Sequence, residues 1–249
     1  MRLEITGAEK WYLRGTSASN RFYAVRDAQL SLEEGSLTVL TGRSGSGKTT
    51  LMHMMAGLLT PSTGTVRWGG EDLYAKGDEE LSRLRNRHSG FISQGNGAVS
   101  GLTVMENVLL PWSMYSGKSG KTDASRAGAT GLAETVNRAG ITNEAVREKA
   151  VSLLERFGIG ELADVSSREL SGGELRRMAI ARALAGSPDL VFADEPTSDL
   201  DDENMRIVLE ALRKAADEGA AVFVVTHDRE ALEYADQSYA MKDGCLIKV

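Results

Sequence analysis

The spacing of apolar and polar positions changes several times along the chain. Residues 1–41 read as mostly β, and Leu37 to Thr41 form an apolar strand that runs into a glycine-rich turn at Gly42. From Lys48 to Ala56 the period becomes helical, with Leu51, Met54, Met55 and Leu58 on one face and Gly57 as the stop. Thr60-Pro61-Ser62-Thr63-Gly64 predicts a turn, and Thr65 to Trp68 a short strand. Residues 78–160 read as mainly helical: Val146, Ala150, Leu153, Leu154 and Phe157 repeat at i, i+4, i+7, i+8 and i+11. Thr142 is the expected N-cap of that helix and Gly158 its stop. Ser116 to Gly131, rich in Gly, Ser, Thr and Ala, reads as a flexible surface insertion.

From residue 166 an α/β alternation resumes. Ser171 to Ala185 and Met205 to Ala216 read as helices. Leu190 to Ala193 and Ala220 to Thr226 are short continuous apolar runs, the pattern of strands buried on both faces of a parallel sheet. Asp243-Gly244 predicts the turn of a terminal hairpin. The expected architecture is an α/β core split by a helical segment.

Composition narrows the function. The 249 residues carry 29 Lys+Arg against 35 Asp+Glu, a net charge of −6, which argues against binding nucleic acid by bulk charge. The 41% apolar and 26% charged fractions exclude global disorder. The one cysteine, Cys245, cannot form an internal disulfide and fits a reducing compartment, as a small residue in a terminal strand. The N-terminus lacks a signal-peptide pattern, and Ala220 to Val225 is far shorter than the roughly 20 residues that span a bilayer. The chain reads as soluble, so work at a membrane would need another chain.

Three motifs carry chemistry. Gly42-Arg43-Ser44-Gly45-Ser46-Gly47-Lys48-Thr49 matches the phosphate-loop pattern G-x-x-x-x-G-K-[ST], with a strand before it and a helix after. Glycines let the backbone N–H groups turn inward toward phosphate oxygens, and the helix adds the positive end of its dipole. Lys48 suits β- and γ-phosphates, and the Thr49 hydroxyl suits Mg²⁺. Leu190-Val-Phe-Ala-Asp194-Glu195 is an apolar strand ending in two carboxylates. Asp194 is placed to hold Mg²⁺ through water, and Glu195 to accept a proton from an attacking water. Ser171 and Glu174 form an S-x-x-E capping box, and Gly172 and Gly173 leave backbone N–H groups open as a second anion site.

Phosphate loop, Leu170-Ser-Gly-Gly-Glu174 and Asp194-Glu195, in that order, resemble the nucleotide-binding subunit of an ATP-binding cassette (ABC) ATPase. The resemblance covers nearly the whole chain. Phe91-Ile-Ser-Gln94 is similar to the family's Q-loop, which implies that Gln94 contacts Mg²⁺ and the attacking water. Ser198-Asp-Leu-Asp201 resembles the D-loop, and Val225-Thr-His227-Asp228 the switch region, which implies His227 on the γ-phosphate. Tyr12 sits where the family stacks an aromatic ring on adenine, with Trp11 and Tyr23 as neighbouring candidates. Thr50 and Asp201 complete the implied nucleotide set, with Ser171, Gly172 and Gly173 acting from a second copy.

The resemblance implies a phosphate-loop NTPase core with a mostly parallel sheet, an N-terminal antiparallel β region and an inserted helical subdomain. On this reading 1–249 is one ABC ATPase domain: 1–85 and 166–249 form the α/β core, 86–165 the helical subdomain, and 116–140 a flexible insertion. It implies ATP and Mg²⁺ as cofactors, a homodimer or pseudo-dimer across the ATP sites, and a separate transmembrane permease as partner. The implied place is the cytoplasmic face of the membrane, with no nucleic acid. Leu102 to Pro111 and the compact length most resemble the lipoprotein-release and macrolide-exporter group. The glycine-rich run from Gln94 to Gly101 departs from the family pattern. An ABC ATPase of repair, translation or iron–sulfur assembly is the rival, and a small-molecule phosphate-loop kinase a more distant one. Arg83, Arg85 and Arg87 fit a solvated helix face better than a nucleic-acid contact, and His53 and His88 match no motif.

Overall fold

The computed structural model describes residues 1–13, 21–95, 97–116, 143–198 and 200–249. In chain order the strands are β1 (Leu3–Leu13), β2 (Arg21–Leu32), β3 (Leu37–Gly42), β4 (Thr63–Trp68), β5 (Glu71–Asp72), β6 (Ser89–Ile92), β7 (Leu190–Asp194), β8 (Ala221–Val225), β9 (Gln237–Lys242) and β10 (Cys245–Lys248). The helices are α1 (Lys48–Met55), α2 (Asp78–His88), α3 (Val104–Ser116), α4 (Asn143–Arg156), α5 (Gly172–Leu184) and α6 (Asp202–Asp217). The expected N-cap Thr142, the 116–131 insertion beyond Ser116 and the D-loop residue Asp199 lie outside the described residues.

All ten strands join one sheet, in the order β5-β4-β1-β2-β10-β9-β3-β8-β7-β6. β9, β3, β8, β7 and β6 run parallel, while β1, β2, β4 and β5 form an antiparallel wing. The two parts meet where β10 pairs with β2 at Cys245 and Arg26. The terminal hairpin forms as its Asp-Gly turn predicts, with β10 antiparallel to β9.

The continuous apolar runs behave as expected of central parallel strands: every residue of β7 and β8 is buried. Their side chains alternate between two cores. Leu190, Phe192, Phe223 and Val225 pack with Leu51, Met54 and Met55 of α1 and with the antiparallel wing. Val191, Ala193, Val222 and Val224 pack on the other face against α3, α4, α5 and α6. The periodic face of α4 (Val146, Ala150, Leu153, Leu154) and Phe157 lies in that second core.

One element was illegible in the pattern. Ser89-Gly-Phe-Ile, inside the segment read as helical, is β6, paired parallel to β7 from Ser89↔Leu190 to Ile92↔Ala193. The sheet therefore reaches into 86–165. Gly90 permits this close packing, because a Cβ there would stand 2.3 Å from the Ala183 carbonyl oxygen.

Candidate active site

The phosphate-loop sequence joins β3 to α1. Gly47 caps α1 in a left-handed conformation (φ 109°) with no side-chain cap, so the first-turn N–H groups meet no capping oxygen. A Cβ at Gly47 would lie 2.0 Å from the Ala24 carbonyl oxygen, so the loop presses directly on β2. The Lys48 ammonium donates to the carbonyls of Gly42 at 2.7 Å and Arg43 at 3.1 Å, which aims its charge across the loop. The Ser46 hydroxyl is buried without a hydrogen-bond partner, and the Ser46 carbonyl accepts from Gly244 N–H at 3.0 Å. Uncapped N–H groups around a fixed ammonium fit a phosphate chain.

β8 lies between β3 and β7, so the strand ends bring the loop beside the two carboxylates. The Thr49 hydroxyl donates to Asp194 Oδ2 at 2.9 Å. Asp194 is only 4% exposed. Burial pushes its carboxyl pKa up against the opposing hydrogen bond from Thr49, and the adjacent Glu195 charge raises it further. A hydroxyl and a buried carboxylate are hard oxygen donors that fit Mg²⁺, whose charge would favour the ionised form.

Glu195 turns out of the strand at positive φ (49°), and its N–H bonds the Val225 carbonyl at 2.8 Å. That kink sends the carboxylate toward the end of β8. Its Oε2 accepts from the Thr226 hydroxyl at 3.2 Å and from His227 N–H at 3.3 Å, and lies 2.9 Å from His227 Nδ1. The rest of the His227 side chain is open to solvent, 77% exposed.

One cleft collects most of the expected residues: Tyr12, Gly42, Ser44, Gly45, Gly47, Lys48, Thr49, Thr50, Gln94, Asp194, Glu195 and His227 line it together. Ser46 lies in the loop but not on the cleft wall. Phe22, opposite Tyr12 on the β1–β2 pair, also lines the cleft, and the sequence reading passed over it. Both rings are half-exposed, so the two form an open aromatic surface. Trp11 and Tyr23 do not line the cleft; their rings lie under Arg21 and Arg26 instead. Neither remaining histidine lines the cleft: His88 sits 2.5 Å from Asp189, while the His53 ring lies tilted near Phe91, close enough to Asp194 for its charge to act on that carboxyl.

Ser171, Gly172, Gly173 and Asp201 stand outside this cleft. The capping box forms as expected, with Ser171 Oγ accepting from Glu174 N–H and the Glu174 carboxylate accepting from Ser171 N–H at 2.7 Å. Asp201 caps α6 by accepting from Asn204 N–H at 2.8 Å. A second residue missed in the sequence is Arg176, on the buried side of α5 and 3% exposed. It donates to the Ser93 carbonyl at 2.6 Å and the Gln94 carbonyl at 3.2 Å. Its only sequence signal was a doubled arginine after the capping box, of which one had to face inward.

Residues 25–198 match the family described as ABC transporter, more than half of the chain. The chain belongs to that family, and it is an ABC ATPase cassette with the phosphate-loop NTPase fold. Over 245 residues, 98% of its length, it is 34% identical to the macrolide export ATP-binding/permease protein MacB of Chlorobaculum tepidum. It spans 33% of that protein, about a third of the length of the MacB relatives it matches. It is 35% identical over 223 residues to the lipoprotein-releasing system ATP-binding protein LolD of Aquifex aeolicus, covering 90% of this chain and 89% of LolD. Among solved structures it resembles the dimeric structure of MJ0796, a bacterial ABC transporter cassette. The TM-score is 0.81 at 28% identity, over 98% of this chain and 96% of that one. A post-hydrolysis dimer of the same cassette bound to ADP and Pi gives 0.80 at 29% identity, with the same coverage.

Proposed function

We propose that this chain hydrolyses Mg-ATP to drive a separate transmembrane permease, through ATP-dependent closure of two cassettes. The observation that carries this reading is the split site. The phosphate loop, Asp194, Glu195 and His227 share one cleft, while the glycine-rich start of α5 lies outside it. A second copy, placed head to tail, supplies the missing anion-binding backbone at Ser171 to Gly173. The dimeric state named for the MJ0796 cassette supports that arrangement.

In this reading Lys48 and the loop N–H groups hold the phosphates, and Tyr12, with Phe22 beside it, carries the adenine. Thr49, Asp194 and Gln94 would hold Mg²⁺, which would supply positive charge against the phosphate oxygens. Gln94 and Glu195 flank the attacking water. Glu195 takes its proton, and His227 steadies Glu195 and reaches the γ-phosphate. Asp201 faces the partner copy. Hydrolysis removes the bridging γ-phosphate and lets the dimer open, so ATP biases a two-state equilibrium.

The permease would dock on the 86–165 side. An apolar groove lies there, lined by Leu58, Phe91, Val99, Leu110, Trp112 and Met114. Among the described residues no helix is long and apolar enough to cross a membrane, so attachment at the cytoplasmic face would come through that partner. The relatives' names, MacB and LolD, favour the exporter and lipoprotein-release type.

Lys48→Ala tests the site directly. Loss of the Lys48 ammonium from the phosphate chain should nearly abolish ATP binding and turnover. Near-wild-type ATPase activity in that variant would overturn the assignment.

A further inference from the structure

Gln94 and Glu195 reach the cleft from different strands. Gln94 follows β6, and Glu195 follows β7. Arg176, on the first turns of α5, connects the two segments. Its Nη1 donates to the Ser93 carbonyl at 2.6 Å, and its Nη2 donates to the Gln94 carbonyl at 3.2 Å and to the Ser198 hydroxyl. That hydroxyl in turn donates to the Glu195 carbonyl at 3.0 Å. Six residues further along the helix, Arg182 Nη1 holds the Gly97 carbonyl at 2.7 Å, so α5 grips the segment after β6 at two points.

The guanidinium is planar and its donors are fixed in one fork, so the acceptors it binds are fixed relative to one another. It is also buried. Moving either segment away from α5 would strand donors of a charged group in the interior, which is costly. The Gln94 segment, the Glu195 turn and the start of α5 are thereby bound to shift together.

We propose that Arg176 is a positioning residue for hydrolysis: it holds Gln94 and Glu195 at a fixed separation across the attacking water and ties both to Ser171–Gly173. The proposal rests on the roles given to Gln94 and Glu195 above. It makes Arg176 the link through which the state of one ATP site is felt by the anion-binding turn that serves the other.

The test uses Arg176→Met, which keeps the stem and removes every donor. Mg-ATP affinity and steady-state KM and kcat are measured on the purified chain. Affinity should stay within about twofold, since Lys48 and Thr49 are untouched, while kcat falls about tenfold or more. Adding Arg176→Met to Gln94→Ala should lower kcat only by the roughly two- to fivefold carried by the Ser198 link to Glu195, well short of the product of the two single losses, since the rest of the Arg176 effect runs through Gln94. Ser198→Ala cuts only the link to Glu195 and should lower kcat about two- to fivefold at unchanged affinity. It decides the matter where Arg176→Met does not fold. A wild-type kcat in folded Arg176→Met, a multiplicative loss in the double variant, or, where Arg176→Met does not fold, a wild-type kcat in Ser198→Ala overturns the proposal. A wild-type kcat in Gln94→Ala overturns the role of Gln94 itself and this proposal with it. A reduced kcat in Gln94→Ala beside a wild-type Arg176→Met overturns this proposal alone.

Discussion

Glu195 and His227 meet at a single oxygen: Glu195 Oε2 lies 2.9 Å from His227 Nδ1 and accepts the His227 backbone N–H at 3.3 Å. The Thr226 hydroxyl donates to the same atom at 3.2 Å. The Thr226 hydroxyl and the His227 N–H both donate to Oε2, with the imidazole Nδ1 in hydrogen-bond range, and these contacts orient the carboxylate. His227 thus meets the glutamate directly, from the turn that follows β8.

Glu195→Gln keeps the size and reach of the side chain but cannot accept the proton of water. Hydrolysis should fall by roughly 10²-fold or more while Mg-ATP binding persists. Two uncleaved ATPs would then hold two copies together. Light scattering should give a mass near twice 26.8 kDa with Mg-ATP and near 26.8 kDa without it. A monomer at saturating ATP counts against the shared site, and a dimer without nucleotide means a different contact.

Asp194 ionises at a cost because it is buried, and its pKa is raised above the ordinary carboxylate value. The folded state therefore binds this proton more tightly than the unfolded state. Stability from this group is present below the ordinary value and is lost as pH rises through the raised one. Asp194→Asn removes the charge and keeps an acceptor for Thr49. In metal- and nucleotide-free protein at pH 7 it should raise Tm by about 1–4 °C, an advantage that disappears at acidic pH. ATPase activity should be lost at the same time. A lower Tm at pH 7 would show that the buried charge is not a burden.

Gly47 and Gly172 make a contrasting pair. Alanine at Gly47 meets the Ala24 carbonyl at 2.0 Å and a positive φ, whereas alanine at Gly172 meets nothing within 4 Å. Gly47→Ala should destabilise by about 2 kcal/mol or more, and weaken nucleotide binding by displacing the loop. Gly172→Ala should leave thermal stability within about 0.5 kcal/mol, as for an open surface site. Paired melting curves and a fluorescent-nucleotide titration separate the two.

Ser171 caps α5, and the proposed function gives it a second load, a γ-phosphate contact in the closed dimer. Ser171→Ala should cost about 1 kcal/mol of stability through the lost cap. In the Glu195→Gln background it should also weaken the ATP-induced dimer. Full dimerisation with the melting loss intact would confine Ser171 to capping.

Most of the cleft was legible because its residues sit at strand ends and helix starts, where local sequence dictates backbone shape. Gly47-Lys48-Thr49 and Asp194-Glu195 are of this kind. Ser171-Gly172-Gly173 was equally legible as a turn, but its distance from the cleft is a tertiary fact. Phe22 was passed over because its relation to Tyr12 depends on hairpin register, and Arg176 because a buried arginine and a solvated one look alike in sequence. β6 escaped because four residues beginning Ser-Gly carry too little period to read, and pairing with β7 supplies what the pattern lacks.

The phosphate loop stands on β2 and β9: Gly47 abuts Ala24, and Gly42 pairs with Met241, whose side chain also reaches Gly47. More than two hundred residues separate Ala24 from Met241, the two halves of that floor. During synthesis, the phosphate loop, Gly42 to Thr49, emerges from the ribosome long before Met241 does. Loop closure over such a distance is slow and comes late. The phosphate loop therefore has its complete floor only once β9 has paired with β3.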